Sequence, residues 1–230
     1  MKKSLFHVHT YRCGHASDEK DEEYVKRAIE LGAKEIVFTD HAPFPGDPFF
    51  DRMKYNELNE YVNSLRQLKE KYKDQIDVKI GLEIEYIPSY LGYYQSLRES
   101  KMFDVLMIGQ HFYETSLDQY SFNLDIRDLI ADEFIGCGEA IIEGINTGYF
   151  DVIAHPDRIF RKREFWSESM ESMANKIIEA AKQNNVLLEV NASSKKHYCQ
   201  YWEEFWKSVP ENMIVYGLDA HSTEELKIFN

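Results

Sequence analysis

The chain has 230 residues, 43% of them hydrophobic and 29% charged, with a formal net charge of −13 at pH 7. That length buries a sizeable core without disulfide staples and fits one domain spanning residues 1–230 better than two small ones. The acidic balance argues against nucleic acid as a partner, since the nearest basic runs, Arg161-Lys162-Arg163 and Lys195-Lys196, are short. Three cysteines, Cys13, Cys137 and Cys199, form an odd set with no C-x-x-C pair, which points to a reducing compartment. The residues after Met1 form no apolar run of signal-peptide length, and no stretch approaches the roughly 18 apolar residues of a membrane helix. A cytoplasmic protein with no membrane partner is expected.

Along the chain, short apolar runs alternate with longer amphipathic stretches. Ser4–His9 predicts a strand. Asp18–Leu31 predicts a helix with Tyr24, Ala28 and Leu31 on one face and Gly32 as its stop. Glu35–Thr39 predicts a second strand, and Tyr55–Tyr72 repeats Leu58, Tyr61, Val62, Leu65, Leu68 and Tyr72 at helical spacing. Strands over Val78–Glu85 and Val105–Ile108 flank a helix at Ser89–Ser100. Helices at Ile126–Thr147 and Ser167–Gln183 precede strands at Asp151–Ala154 and Val186–Val190, and Met213–Leu218 predicts the last strand. The aromatic run Tyr198, Tyr201, Trp202, Phe205 and Trp206 has the spacing of a helix packed on the body of the protein. Strand alternating with helix implies parallel strands, and seven strands favour barrel-like closure.

The polar residues fall where these strands end. The first ends in His7-Val8-His9, the second in Asp40-His41, and the third carries Glu83 and Glu85. The fourth runs into His111, the fifth into His155, and the last into Asp219-Ala220-His221. In α/β barrels the C-terminal strand ends converge on one face, so ligands scattered in sequence would meet in space. Positions i and i+2 of a strand share a side, which pairs His7 with His9 and Glu83 with Glu85. Imidazoles and carboxylates together suit zinc, manganese or iron, and a carboxylate can bridge two ions. Any one of these residues alone reads as a structural histidine or a helix cap, as Asp40 and Asp219 could be. Only the ordered series carries the argument.

That series resembles the PHP (polymerase and histidinol phosphatase) family over nearly the whole chain. The pieces that carry the resemblance are His7-Val8-His9, Tyr11-Arg12-Cys13-Gly14-His15-Ala16, Thr39-Asp40-His41, Gly81-Leu82-Glu83-Ile84-Glu85-Tyr86, His111, His155-Pro156-Asp157-Arg158 and Gly217-Leu218-Asp219-Ala220-His221. The Cys-Gly-His-Ala loop and the Gly-Leu-Glu-Ile-Glu-Tyr strand are similar to the histidinol-phosphatase branch. The resemblance implies a distorted (β/α)7 TIM-like barrel of the α/β class. It also implies a cluster of two to three divalent metal ions, zinc, iron or manganese.

Carried over by position, His7, His9, Glu83 and Asp219 would hold one ion. Glu83 would be shared with a second ion held by His111 and His155, and His15, His41 and His221 would hold a third. Glu85 is left as a supporting acid and Cys13 as a loop residue. The segment Asn191-Ala192-Ser193-Ser194-Lys195-Lys196 departs from the family, which has a phosphate-binding Arg there. The chain also ends at Asn230, soon after His221, where relatives continue.

The implied activity is phosphomonoester hydrolysis by a metal-bridging hydroxide, with a small phosphorylated metabolite as partner. L-Histidinol phosphate, an intermediate of histidine biosynthesis, is the leading substrate. Arg158, with Lys196 (or Lys195), would hold the phosphate, and Asp157 is a candidate proton donor to the leaving alcohol. An amidohydrolase-type metallohydrolase is the rival enzyme class, but Ile108-Gly109-Gln110-His111 lacks the lysine that often bridges metals there. An inactive, structural PHP domain is the non-enzyme rival, and it would be marked by lost ligands.

Overall fold

A computed structural model describes residues 3–197 and 199–228; Tyr198, the first of the aromatic run, lies outside them. The strands are β1 (Ser4–Val8), β2 (Glu35–His41), β3 (Asp77–Ile84), β4 (Val105–Ile108), β5 (Glu114–Ser116), β6 (Gln119–Tyr120), β7 (Val152–Ile153), β8 (Leu187–Asn191) and β9 (Ile214–Gly217). The helices are α1 (Asp21–Glu30), α2 (Leu58–Tyr72), α3 (Leu91–Glu99), α4 (Ile126–Asn146), α5 (Glu168–Asn184) and α6 (Glu203–Trp206), with short 3₁₀ segments in several of the connections. Seven strands form a sheet ordered as they occur in the chain, and β5 with β6 makes a separate hairpin. This is the α/β strand–helix order of the (β/α)7 barrel class. The chain divides into two compact units.

The first unit comprises Met1–Glu83, Ser100–Leu106 and Tyr216–Asn230. Here β1 pairs with β2 from Ser4 against Glu35, and β2 pairs with β3 from Glu35 against Asp77, all parallel. The C-terminal segment lies against the other side of β1: Leu218 N–H donates to the Phe6 carbonyl at 2.8 Å, and Val8 bridges to Ala220. These strands are mostly buried, with apolar residues on both faces apart from the polar residues toward their C-terminal ends, as helix-covered parallel strands require. Tyr24, Val25 and Ala28 of α1, and Tyr61, Val62, Leu65 and Leu68 of α2, form the buried stripes that cover them. Gly32, with φ +72°, takes the left-handed turn that lets the chain leave α1.

The second unit comprises Ile84–Glu99 and Met107–Val215. Within it β4 pairs with β7 and β7 with β8, again parallel. Helix α5 is capped by the Ser167 side chain, which accepts the Met170 N–H, and ends at Asn185 in the left-handed region. Its buried face, Met170, Met173, Ala174, Ile177 and Ala181, sits beside Cys137, Ile141 and Ile145 of α4 in one apolar layer. The aromatic run behaves only in part as expected. Trp202 and Phe205 are buried, but α6 is a single turn of four residues rather than a long helix. The β5–β6 hairpin is also a departure, because its strands are too short to show an apolar pattern.

Candidate metal centre

The first unit gathers seven of the expected ligands, His7, His9, His15, His41, Glu83, Asp219 and His221. His7 and His9 do share a side, but by a route other than simple alternation. The β1–β2 register shifts between Phe6 and Val8, and His7 sits at this irregularity with φ +67°. Asp219 is likewise left-handed, with φ +55°. Neither residue is glycine, so each conformation is a strain that the surrounding hydrogen bonds must hold, as happens at functional sites.

The donor atoms converge. His7 Nε2 lies 3.0 Å from His9 Nε2. Glu83 Oε2 is 3.4 Å from the first nitrogen and 3.5 Å from the second. Asp219 Oδ1 is 3.6 and 3.2 Å from the same two atoms. Donors bound at about 2.1 Å to one ion stand about 3.0 Å apart along octahedral edges and about 3.4 Å apart along tetrahedral ones. The His7, His9 and Asp219 donors, 3.0–3.6 Å apart, stand close enough together to hold one ion, with Glu83 against the two imidazoles.

A second cluster adjoins it. His15 Nδ1 lies 3.1 Å from the Cys13 carbonyl oxygen, and His221 Nδ1 lies 3.1 Å from that of Asp219. A carbonyl oxygen only accepts, so each Nδ1 carries the hydrogen and each Nε2 presents a lone pair. Those two Nε2 atoms face each other at 2.9 Å. Two lone pairs at that distance repel unless a proton or a cation lies between them. A proton is disfavoured, because burial and the neighbouring charge of His9 pull His221 down to about 3, and burial and His41 lower His15. His41 Nδ1 lies 3.1 Å from Glu83 Oε2; the donors that fall together with His221 are those of His9 and His41 in one group and of Cys13 and His15 in another.

The electrostatics point the same way. Burial pulls the His9 imidazole down, yet Asp219 and Asp40 outweigh it and its pKa stands at about 9. Burial would raise the Asp219 carboxyl, but facing His7 and His9 holds it well below the usual carboxylate range. The cluster is thus built around positive charge, and its donor set fits divalent ions.

The second unit holds His111 and His155, with ring centroids 5.2 Å apart. His111 Nδ1 lies 2.9 Å from Glu85 Oε1, which fixes that nitrogen as the donor and leaves Nε2 as the ring's acceptor. His155 begins a 3₁₀ turn over Pro156–Phe160 with φ +30°, and its N–H donates to Glu189 at 3.1 Å. Glu189 is fully buried and also accepts from Asn191 Nδ2. Its signal in the sequence was an acid inside the apolar run Val186–Val190, and sequence reasoning passed over it.

The remaining expected residues sit as follows. Arg158 is half-buried in the turn after His155. Asp157 is buried; its Oδ2 accepts the N–H of Trp202 at 2.8 Å and the indole N–H of Trp206 at 2.9 Å, and burial pushes its carboxyl up to about 6. Lys196 is exposed, whereas Lys195 packs its ammonium 4.6 Å from the centre of the Tyr201 ring. Cys13 is fully buried among the ligands, and burial holds its thiol at about 12. Asp40, read from sequence as a possible helix cap, instead accepts from the Thr10 hydroxyl and faces His9.

The family model described as PHP domain matches residues 6–193. The histidinol-phosphatase of Bacillus subtilis (strain 168) is 24% identical over 262 residues, which cover 98% of this chain and 96% of the relative. A crystal structure from Listeria monocytogenes is 20% identical, covers 97% of each chain and has a TM-score of 0.78. The crystal structure of histidinol phosphate phosphatase from Lactococcus lactis subsp. lactis, complexed with zinc, L-histidinol and phosphate, is 22% identical. It covers 96% of this chain and 87% of its own, with a TM-score of 0.74. Among the described residues no helix is long and apolar enough to cross a membrane.

Proposed function

The chain belongs to the PHP domain family, and we propose that within it the protein is a metal-dependent histidinol phosphatase, which hydrolyses L-histidinol phosphate to L-histidinol and phosphate. The observation that carries this reading is the convergence of His7, His9 and Asp219, whose donor atoms lie close enough together to hold one ion. The full-length likeness to histidinol phosphatases supplies the reaction.

The proposal assigns two to three divalent ions, zinc, iron or manganese, to the nine histidine and carboxylate positions. His7, His9, Glu83 and Asp219 take the first and His15, His41 and His221 the third. The second falls to His111 and His155, with Glu83 shared. When bound, such ions neutralise phosphoryl oxygens and make water acidic enough to serve as a nucleophile near neutral pH.

The chain's own residues do the rest. Glu85 holds His111 in the tautomer whose Nε2 is the acceptor, and Glu189 holds the backbone at His155. Arg158 is assigned to the phosphate as a planar, permanently charged fork that strengthens its grip as charge builds in the transition state. Lys196 supplies a second, point-like charge. Asp157 is assigned to the proton needed by the leaving alcohol; its Oδ2 is held by two tryptophan donors. We also assign residues 1–230 to one catalytic domain acting in the cytoplasm on a small phosphorylated metabolite.

The test is phosphate release from L-histidinol phosphate by protein reconstituted with zinc or manganese and by the same protein after chelation. Release by the loaded form alone supports the assignment. Inactivity of protein that demonstrably carries metal would overturn it.

A further inference from the structure

A buried polar chain outside the ligand set ends on His9. Thr10, Asp40 and His9 are fully buried and Arg12 nearly so. The Arg12 guanidinium has five N–H donors and no acceptor, and every donor is used. Two go to Asp21, at 2.7 and 3.0 Å. Two go to Glu60, at 3.0 and 3.1 Å. The fifth goes to Thr10 Oγ1 at 3.1 Å.

The direction of the next bond follows. Thr10 Oγ1 accepts from Arg12, so its own hydrogen is available to donate, and Asp40 Oδ2 receives it. Asp40 Oδ1 is then left facing His41 N–H at 3.2 Å and His9 Nδ1 at 3.6 Å. His9 carries its other nitrogen, Nε2, into the converging donors of His7, Glu83 and Asp219. At 3.6 Å this is an electrostatic approach to a buried nitrogen rather than a hydrogen bond, and it favours the Nδ1–H tautomer that leaves Nε2 as the metal-binding atom.

We propose that Arg12, Thr10 and Asp40 form a positioning chain that fixes the ring and tautomer of His9 and thereby sets how tightly the centre binds its metal. The inference rests on the metallophosphatase reading. Arg12 has a second, purely architectural task, since Asp21 opens α1 and Glu60 lies in α2, so it ties the His15-bearing loop to both helices. The informative variants therefore leave Arg12 in place. Thr10→Val removes the hydroxyl relay while keeping the shape of the side chain. Asp40→Asn keeps the shape but loses the charge that faces Nδ1. Thr10→Ser keeps the hydroxyl.

The experiment uses the full chain stripped of metal and titrated with Co²⁺. It records the visible absorption of the bound ion, affinity by chelator competition and the melting temperature of the metal-free protein. Thr10→Val and Asp40→Asn are expected to weaken the tightest Co²⁺ site by about 10- to 100-fold and alter its spectrum. Thr10→Ser should bind as the wild type does, and the metal-free melting temperatures should agree within a few degrees. Wild-type affinity in both Thr10→Val and Asp40→Asn overturns the positioning chain, as does a loss of affinity matched by melting of the metal-free protein. If the wild type takes up no Co²⁺, the metal reading itself falls and the inference with it.

Discussion

His15 and His221, 206 positions apart in the chain, bring their Nε2 atoms within 2.9 Å of each other. Both rings are fixed from behind by backbone carbonyls, so the approach is built into the fold. His15→Ala is therefore expected to empty one site selectively while the His7–His9–Asp219 group keeps its ion. Elemental analysis after reconstitution would show the loss of about one ion per chain, with the others retained. Unchanged metal content and rate in His15→Ala would remove the third site from the proposal.

Glu83 meets His7, His9 and His41 through one oxygen, at 3.4, 3.5 and 3.1 Å. Replacing that carboxylate with an amide keeps the shape but loses charge at the point where the donors converge. Glu83→Gln is expected to lower kcat by on the order of 10³ or more. Its circular dichroism should match the wild type, because burying a neutral amide costs less than burying a charge. Turnover within tenfold of wild type would exclude Glu83 as a shared ligand.

The sequence was most informative at the ends of strands. His7, His9, His41, Glu83, Asp219 and His221 each sit beside an apolar run, and parallel topology carries such ends to one side of a sheet. The local geometry was less legible. The strained backbone at His7 and Asp219 has no marker in residue type, since neither position is a glycine. The Arg12–Thr10–Asp40 chain was hidden because its partners Asp21 and Glu60 lie on two helices, 9 and 48 residues away from Arg12. Glu85 was read as a supporting acid, and its bond to His111 gives that role a definite object. The aromatic run is not one helix, because helical spacing of aromatic residues also arises where loop residues, here Tyr201 and Trp202, lead into a single turn.

Gly81 opens the Gly-Leu-Glu-Ile-Glu-Tyr segment for a steric reason. A Cβ there would stand 2.8 Å from the Val105 carbonyl oxygen and 3.0 Å from that of Phe38, both of them backbone atoms in β strands. Backbone in a paired sheet cannot step aside as a flexible side chain can. Gly81→Ala is expected to destabilise the fold by roughly 1–3 kcal/mol, which lowers Tm by roughly 2–10 °C for a chain of this size. A thermal melt without loss would mean that the sheet relaxes at this position.

Arg158 lies in the turn that leaves His155, two residues beyond Pro156. If it grips the phosphate, its hydrogen bonds shorten as negative charge accumulates on the equatorial oxygens, so the contact acts on the transition state more than on the bound substrate. Arg158→Ala should then raise KM and lower kcat, with kcat/KM reduced by about 10- to 100-fold. Arg158→Lys should recover only part of this, because an ammonium lacks the bidentate fork. Steady-state kinetics that match the wild type in Arg158→Ala would assign this arginine to the surface instead.

Substrate selectivity separates a histidinol phosphatase from a general metallophosphatase. On the proposed reading, any phosphate monoester would present the same dianion to the metals and to Arg158, so discrimination would come from the leaving group. L-Histidinol phosphate carries an amine and an imidazole, and the chain carries 40 acidic residues against 27 basic ones. A negative field attracts a cationic leaving group and repels an anionic one. Glu114 and Asp118, in the hairpin after His111, are the candidate carboxylates, while Glu85 is already engaged by His111. Comparing kcat/KM for L-histidinol phosphate with neutral and anionic phosphate esters of similar size measures this directly. A preference of at least about tenfold is expected, corresponding to about 1.4 kcal/mol of transition-state discrimination. That preference should shrink as added salt screens exposed carboxylates, whereas a contact with a buried group would persist. A flat profile across the panel would remove L-histidinol phosphate as the preferred substrate and leave the metal-dependent phosphomonoesterase intact.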